Sequence, residues 1–144
     1  MKNYAYLILT LILLFTGCMK EGPETIKPSA VSCEFCAMHI ADMRFHTQFQ
    51  SDKGRRFHFD SIECALDWHV KNQDQKFFKW TTGYNDGGHI NMEEAWYLVS
   101  SQRQSPMKAG FSAYASREEA LQAKETAGGS VVDFNELASS RLKK

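Results

Sequence analysis

From Met43 onward, apolar and polar residues alternate. Met43, Phe45, Thr47 and Phe49 fall on one side and Arg44, His46, Gln48 and Gln50 on the other, the period of two that marks a half-buried strand. "SDKG" reads as a turn, and "RRFHF" resumes the alternation with Phe57 and Phe59 on one face, so the two runs predict a hairpin. "DSIECALDWHVKN" changes to helical spacing, with Ile62, Ala65, Leu66 and His69 or Val70 along one stripe. Asp60 is placed to cap that helix, with Glu63 three residues on in the capping-box position. "KFFKW" follows as a short strand. The order then recurs: "EEAWYLVSS" and "GFSAYA" read as strands, and "SREEALQAKETAGG" as a helix capped by Ser116 and Glu119 and ended by Gly128 and Gly129. "SVVDFNEL" closes as a strand. The pattern predicts an α+β protein, a tandem ββαβ repeat over residues 31–84 and 85–138, with mostly antiparallel sheet and two helices. The halves share a pattern and no appreciable sequence identity.

The N-terminal residues follow a different logic. After Lys2, "YAYLILTLILLFTG" is an apolar run too short to span a bilayer, ending in small residues before Cys18. "LFTGC" resembles a bacterial lipobox, with Phe15 at a position where leucine is usual. Residues 1–17 are therefore expected to be a lipoprotein signal peptide and Cys18 an acylated first residue. Residues 18–30, rich in polar residues, Gly22, Pro23 and Pro28, are expected to be a lipid-anchored flexible tether. Residues 31–144 then form the folded domain. This places the protein at a membrane, on its periplasmic or other extracytoplasmic face.

Composition narrows the function classes. The chain has 144 residues, 43% hydrophobic, enough for one domain with a core. Its 17 basic residues equal its 17 acidic ones, so no basic field exists to hold nucleic acid. An exported compartment is oxidising, where cysteines usually pair. With Cys18 consumed by lipid, Cys33, Cys36 and Cys64 remain, and three thiols leave one odd.

The chemistry concentrates in "CEFCAMHI". Copper(I) is soft and favours thiolate and thioether, whereas zinc takes thiolate and imidazole in four-coordinate sites. In an extended segment, Cys36 and Met38 would point the same way and grip one ion, with Cys33 further off. A methionine beside a CxxC suits a soft ion. Zinc would need two more ligands, and a second CxxC or an HxxxH is absent. A redox dithiol of Cys33 and Cys36 stays open, as does a generic soft-metal store. Cys64 lies among apolar helical neighbours, where a buried inert thiol is expected. His39 follows Met38 and is a possible further ligand. His46 and His58 sit on the polar faces of adjoining strands, expected to be solvated surface that could meet across the hairpin. Asp60, Asp67 and Asp86 read as capping or solvated groups. No positioned acid, base or nucleophile marks an enzyme.

"CEFCAMHI" resembles the CxxCGM motif of the NosL family, lipoproteins that deliver copper(I) for nitrous oxide reductase assembly. "EEAWYLVSSQRQSPMKAGFSAYASREEALQAKETAGGSVVDFNEL" and "FHFDSIECAL" are similar to further segments of that family, so the likeness runs from Cys33 to Leu137. The resemblance implies the repeated ββαβ fold and copper ligands at Cys36, Met38 and Met107, with Cys33 auxiliary. It also implies partners: a copper-dependent reductase and its maturation machinery, including an ABC transporter complex. Ala37 replaces the motif glycine, which predicts a more extended backbone there. Glu63 and Ala65 replace glycine and methionine, so that stretch is expected to be structural. A chaperone must also release its ion, which predicts two or three protein ligands near the surface with an open position.

Overall fold

The computed structural model describes residues 21–142. The strands are β1 (Thr47–Ser51), β2 (Arg56–Phe59), β3 (Phe77–Thr82), β4 (His89–Asn91), β5 (Trp96–Val99), β6 (Phe111–Tyr114) and β7 (Ser130–Val132). The helices are α1 (Ile62–Val70), α2 (Arg117–Ala127) and α3 (Phe134–Leu142). Two antiparallel sheets result, one ordered β2-β1-β3-β4 and the other β6-β5-β7. They meet where Gly83 bridges to Ala113 and the Tyr84 N–H donates to the Ala113 carbonyl at 2.9 Å. The chain is α+β, and each half contains the expected strand–strand–helix–strand order.

Each half also adds an element. In the first, β4 pairs with β3 after a tight loop in which the Gly83 N–H donates to the Gly88 carbonyl at 2.8 Å. In the second, the expected closing strand stops at Val132 and the chain turns into α3, a third helix among the described residues where two were expected. The cause is a capping box: Asp133 Oδ1 accepts from the Glu136 N–H at 2.9 Å, and Glu136 Oε2 accepts from the Asp133 N–H at 3.3 Å. The α3 helix then buries Leu137, and Arg141 forms a salt bridge with Asp67 of α1.

One core serves both halves. Phe49, Phe57 and Phe59 of the first sheet pack with Ile62, Cys64 and Leu66 of α1 and with Tyr97, Phe111 and Ala113 of the second sheet. Trp68 carries the cluster outward, its ring 4.7 Å from Phe57 and 5.3 Å from Phe77. A smaller cluster of Leu98, Tyr114, Ala120 and Ala127 seats α2, whose Ser116 cap accepts from the Glu119 N–H at 3.2 Å as expected.

The polar face of the first sheet departs from expectation. Gln48, Gln50 and His46 are buried, because residues 22–26 lie across them. The Gln48 amide both accepts from the Glu24 N–H and donates to the Glu24 carbonyl, each at 2.9 Å, in the manner of a ladder partner. Gln50 accepts from the Gly22 N–H, and Arg56 donates to the Gly22 carbonyl at 2.7 Å. The stretch expected as a flexible tether thus makes ordered contacts from Gly22 onward. Its Glu24 also meets His58 at 3.0 Å, and His58 in turn meets His46 at 3.1 Å. The two histidines do face each other across the hairpin, but in a covered pair and not on solvated surface.

Candidate metal centre

Two chain segments build the site. The first is a knuckle pinned by a bridge between Ser32 and His39. Inside it the Cys33 N–H donates to the Met38 carbonyl at 2.8 Å, and the Ala37 N–H to the Cys33 carbonyl at 2.9 Å. These bonds close a turn over residues 34–36, and Ala37 takes φ 62°. The expectation that losing the motif glycine would leave this backbone extended is therefore corrected. The turn keeps its left-handed residue and accepts the strain of a Cβ there. Cys36 and Met38 are accordingly not related by the simple alternation of a strand. The Glu34 N–H donates to the His58 carbonyl at 2.8 Å and fastens the knuckle to β2.

The second segment is the junction of β2 and α1. The helix is capped by Ser61, whose Oγ accepts from the Cys64 N–H at 3.2 Å, one residue later than expected. Asp60 is thereby free of capping and turns inward. Cys64 sits in the first turn and faces the knuckle. The Sγ atoms of Cys33, Cys36 and Cys64 and an Asp60 carboxylate oxygen all lie within 4.8 Å of one another. Cys33, Cys64 and Asp60 are buried, and Cys36 is half-buried. Cys36 donates its S–H to Asp60 Oδ2 at 3.3 Å, while Asp60 Oδ1 is buried with no hydrogen-bond partner among the described residues. All three cysteines are free thiols.

Sequence reasoning missed Asp60 and Cys64 as members of this cluster. Asp60 was expected to cap or to be solvated, yet it is only 2% exposed. Cys64 is buried as expected, but against the other thiols as well as the apolar core. The signal that pointed to it was the odd third thiol. Asp86 behaves as expected, accepting from the Gly88 N–H in its loop, whereas Asp67 neither caps nor stands in solvent but is half-buried and paired with Arg141 of α3.

Crowding of the sulfurs separates their acidities. Cys64 donates to Cys33, which draws the Cys33 thiol from 9.0 down to about 6 and holds Cys64 far above the usual thiol range. Burial, reinforced by Cys33 and Asp60, pushes Cys36 from 9.0 up to about 11. Of the three thiols, the buried Cys33–Cys64 pair therefore gives up one proton readily, while the sulfur nearest solvent is the half-buried Cys36. A soft cation entering here would displace the remaining thiol protons, because thiolates are the metal-binding form.

Met38 and Met107 are 45% and 42% exposed, unusual for thioethers in a chain with a full core. Met38 and His39 belong to the knuckle, and His39 Nδ1 lies 3.5 Å from Ser32 Oγ. Met107 comes from the second half, in the loop of residues 105–110. That loop bonds to Glu63 through the Ser105 hydroxyl and the Ala109 N–H. Cys18 and the apolar run before it lie outside the described residues, among which no helix is long and apolar enough to cross a membrane.

Comparison with known proteins bears on the family and the fold. The NosL family model matches residues 23–142. Among solved structures, the crystal structure of the copper chaperone NosL from Shewanella denitrificans superposes with a TM-score of 0.69. The alignment covers 81% of this chain and 96% of that one at 19% sequence identity, a likeness of fold. No curated protein matches the chain.

Proposed function

The chain belongs to the NosL family, and from that premise we propose that it is a copper(I) chaperone that receives one soft ion and passes it on. The observation that carries this reading is the convergence of three free thiols and a buried carboxylate within 4.8 Å. Thiolates are the donors copper(I) prefers, and thioethers are weaker donors of the same softness. In the proposed site Cys36 holds the ion together with Met38 and Met107. Cys33 is the auxiliary thiolate, Cys64 stands behind it, and His39 is a further donor at the rim. Asp60, 3.3 Å from the Cys36 sulfur, is placed to take its proton as the ion enters.

Delivery follows from the same arrangement. Two exposed thioethers and one half-buried thiolate leave room for a recipient's sulfur to join before the donor lets go. We place the protein at the membrane through a lipid on Cys18, on the extracytoplasmic side. There it would supply the assembly of nitrous oxide reductase or a related copper enzyme, alongside an ABC transporter complex. Loss of the chain from the membrane fraction in Cys18→Ser tests the anchor, and retention there contradicts it.

The central test is titration of the reduced chain with copper(I) against a chromogenic chelator. Cys36→Ser should abolish competition, and Met107→Ala should weaken binding by about tenfold, the loss of one weak ligand. Both variants binding like the parent chain would overturn the ligand assignment. The acidic Cys33 also suits a thiol–disulfide protein. Turnover in insulin reduction that disappears in Cys33→Ser would favour that second reading.

A further inference from the structure

Glu63 is a charged residue placed where a carboxylate is costly. It lies in the first turn of α1, 1% exposed, immediately before Cys64. Among the described residues its side chain makes no salt bridge with a basic group: Oε1 accepts from the Ser105 hydroxyl and from the Ala109 N–H at 3.1 Å, and Oε2 is buried without a hydrogen-bond partner. Both donors belong to the loop that carries Met107. That loop is closed locally as well. The Lys108 N–H donates to the Ser105 carbonyl at 2.9 Å, and the Gly110 N–H to the Ser105 hydroxyl at 2.9 Å. Lys108 adopts φ 60° and Gly110 φ 74°. At Gly110 a Cβ would come within 2.0 Å of the Ser100 carbonyl oxygen, so the loop also presses on the end of β5.

The loop's own bonds give it a shape, and Glu63 gives it a place. Without the carboxylate, nothing else among these bonds ties residues 105–109 to α1. Burying a carboxylate costs several kcal/mol unless its hydrogen bonds offset it, so a group that grips one loop through two donors is a specific fastening. Glu63 immediately precedes Cys64 in the first turn of α1, so the turn that holds the Met107 loop also carries a thiol of the cluster.

We propose that Glu63 is a positioning residue, whose carboxylate clamps the loop of residues 105–110 to the first turn of α1 and so sets the Met107 thioether for the ion held at the thiols. This rests on Met107 being a copper ligand. The two claims separate in one experiment on the full chain, reduced and labelled with 13C at the methionine methyl groups. Copper(I) is added to one equivalent to the parent chain and to Glu63→Gln, Glu63→Ala and Ser105→Ala. The amide oxygen of Glu63→Gln still accepts both hydrogen bonds, so the Met107 methyl resonance should shift there as in the parent. In Glu63→Ala it should stay at its metal-free position while Met38 still shifts. Copper(I) affinity should fall by about tenfold, and adding Met107→Ala should lower it no further. Ser105→Ala, which loosens the clamp from the loop side, should weaken the Met107 shift even where Glu63→Ala does not fold. A full Met107 shift in Glu63→Ala or, if that variant does not fold, in Ser105→Ala overturns the positioning role, as do additive losses of affinity. No Met107 shift in the parent chain overturns the ligand assignment and the clamp together.

Discussion

At the scale of single residues, the site depends on a turn that its sequence fits imperfectly. Ala37 occupies the left-handed region at φ 62° so that the Cys33 N–H can reach the Met38 carbonyl. An alanine there is strained by its Cβ, whereas glycine is not. Ala37→Gly should therefore raise stability by about 0.5–1 kcal/mol, read as a higher urea midpoint with an unchanged slope. A lower midpoint would mean that the turn is held in some other conformation. The substitution pattern suggested the reverse, an extended backbone, because local propensity was weighed without the two hydrogen bonds that close the knuckle. The sulfurs carry a similar lesson. The spacing of Cys33 and Cys36 is visible in the chain, but the ordering of their acidities comes from Cys64, which arrives from another element and donates to Cys33.

At the scale of elements, the hairpin, α1 and α2 were legible because their apolar periods are clean and Ser116 caps α2 as its sequence indicates. The first strand, however, begins only at Thr47, since Met43–Phe45, expected to open it, form a 3-10 turn capped by Asp42. The closing helix was not legible, since "DFNEL" extends an apolar run and its capping box of Asp133 and Glu136 overlaps the end of β7. The outer face of β1 and β2 was misjudged for a different reason. Its glutamines and histidines are polar enough for solvent, yet Gln48 and Gln50 serve as partners for the backbone of Glu24 and Gly22, and His58 meets the Glu24 carboxylate. Burial beneath that segment, together with the neighbouring imidazoles of His58 and His89, lowers the His46 pKa from 6.5 to about 3. Burial lowers His58 as well, against the pull of Glu24. The unfolded chain therefore binds protons that the folded chain refuses. The His46 contribution should be level above about pH 6.5 and fall as pH drops toward 3, by up to about 1.4 kcal/mol per pH unit, with His58 adding in the same direction. His46→Gln should flatten that slope in denaturant titrations run at several pH values. An unchanged slope would show that His46 takes up its proton while folded.

At the scale of the whole molecule, the two halves act as one structure: a shared core joins both sheets, and the Gly83–Ala113 bridge links them. The knuckle and α1 belong to the first half, and the Met107 loop to the second. That division is why the proposed site was only half legible. Cys33, Cys36 and Met38 announce themselves by adjacency, and Met107 is indicated by family resemblance. Asp60 and Cys64 emerge only when β2 runs into α1 and turns them toward the knuckle. Copper(I) is proposed to sit among these sulfurs. X-ray absorption at the copper edge, on the reduced chain loaded with one equivalent of copper(I), tests it most directly. A first shell of sulfur, with thiolate and longer thioether distances, that is lost or rebuilt in Cys36→Ser is the predicted result. A shell of nitrogen and oxygen that Cys36→Ser leaves unchanged would contradict it.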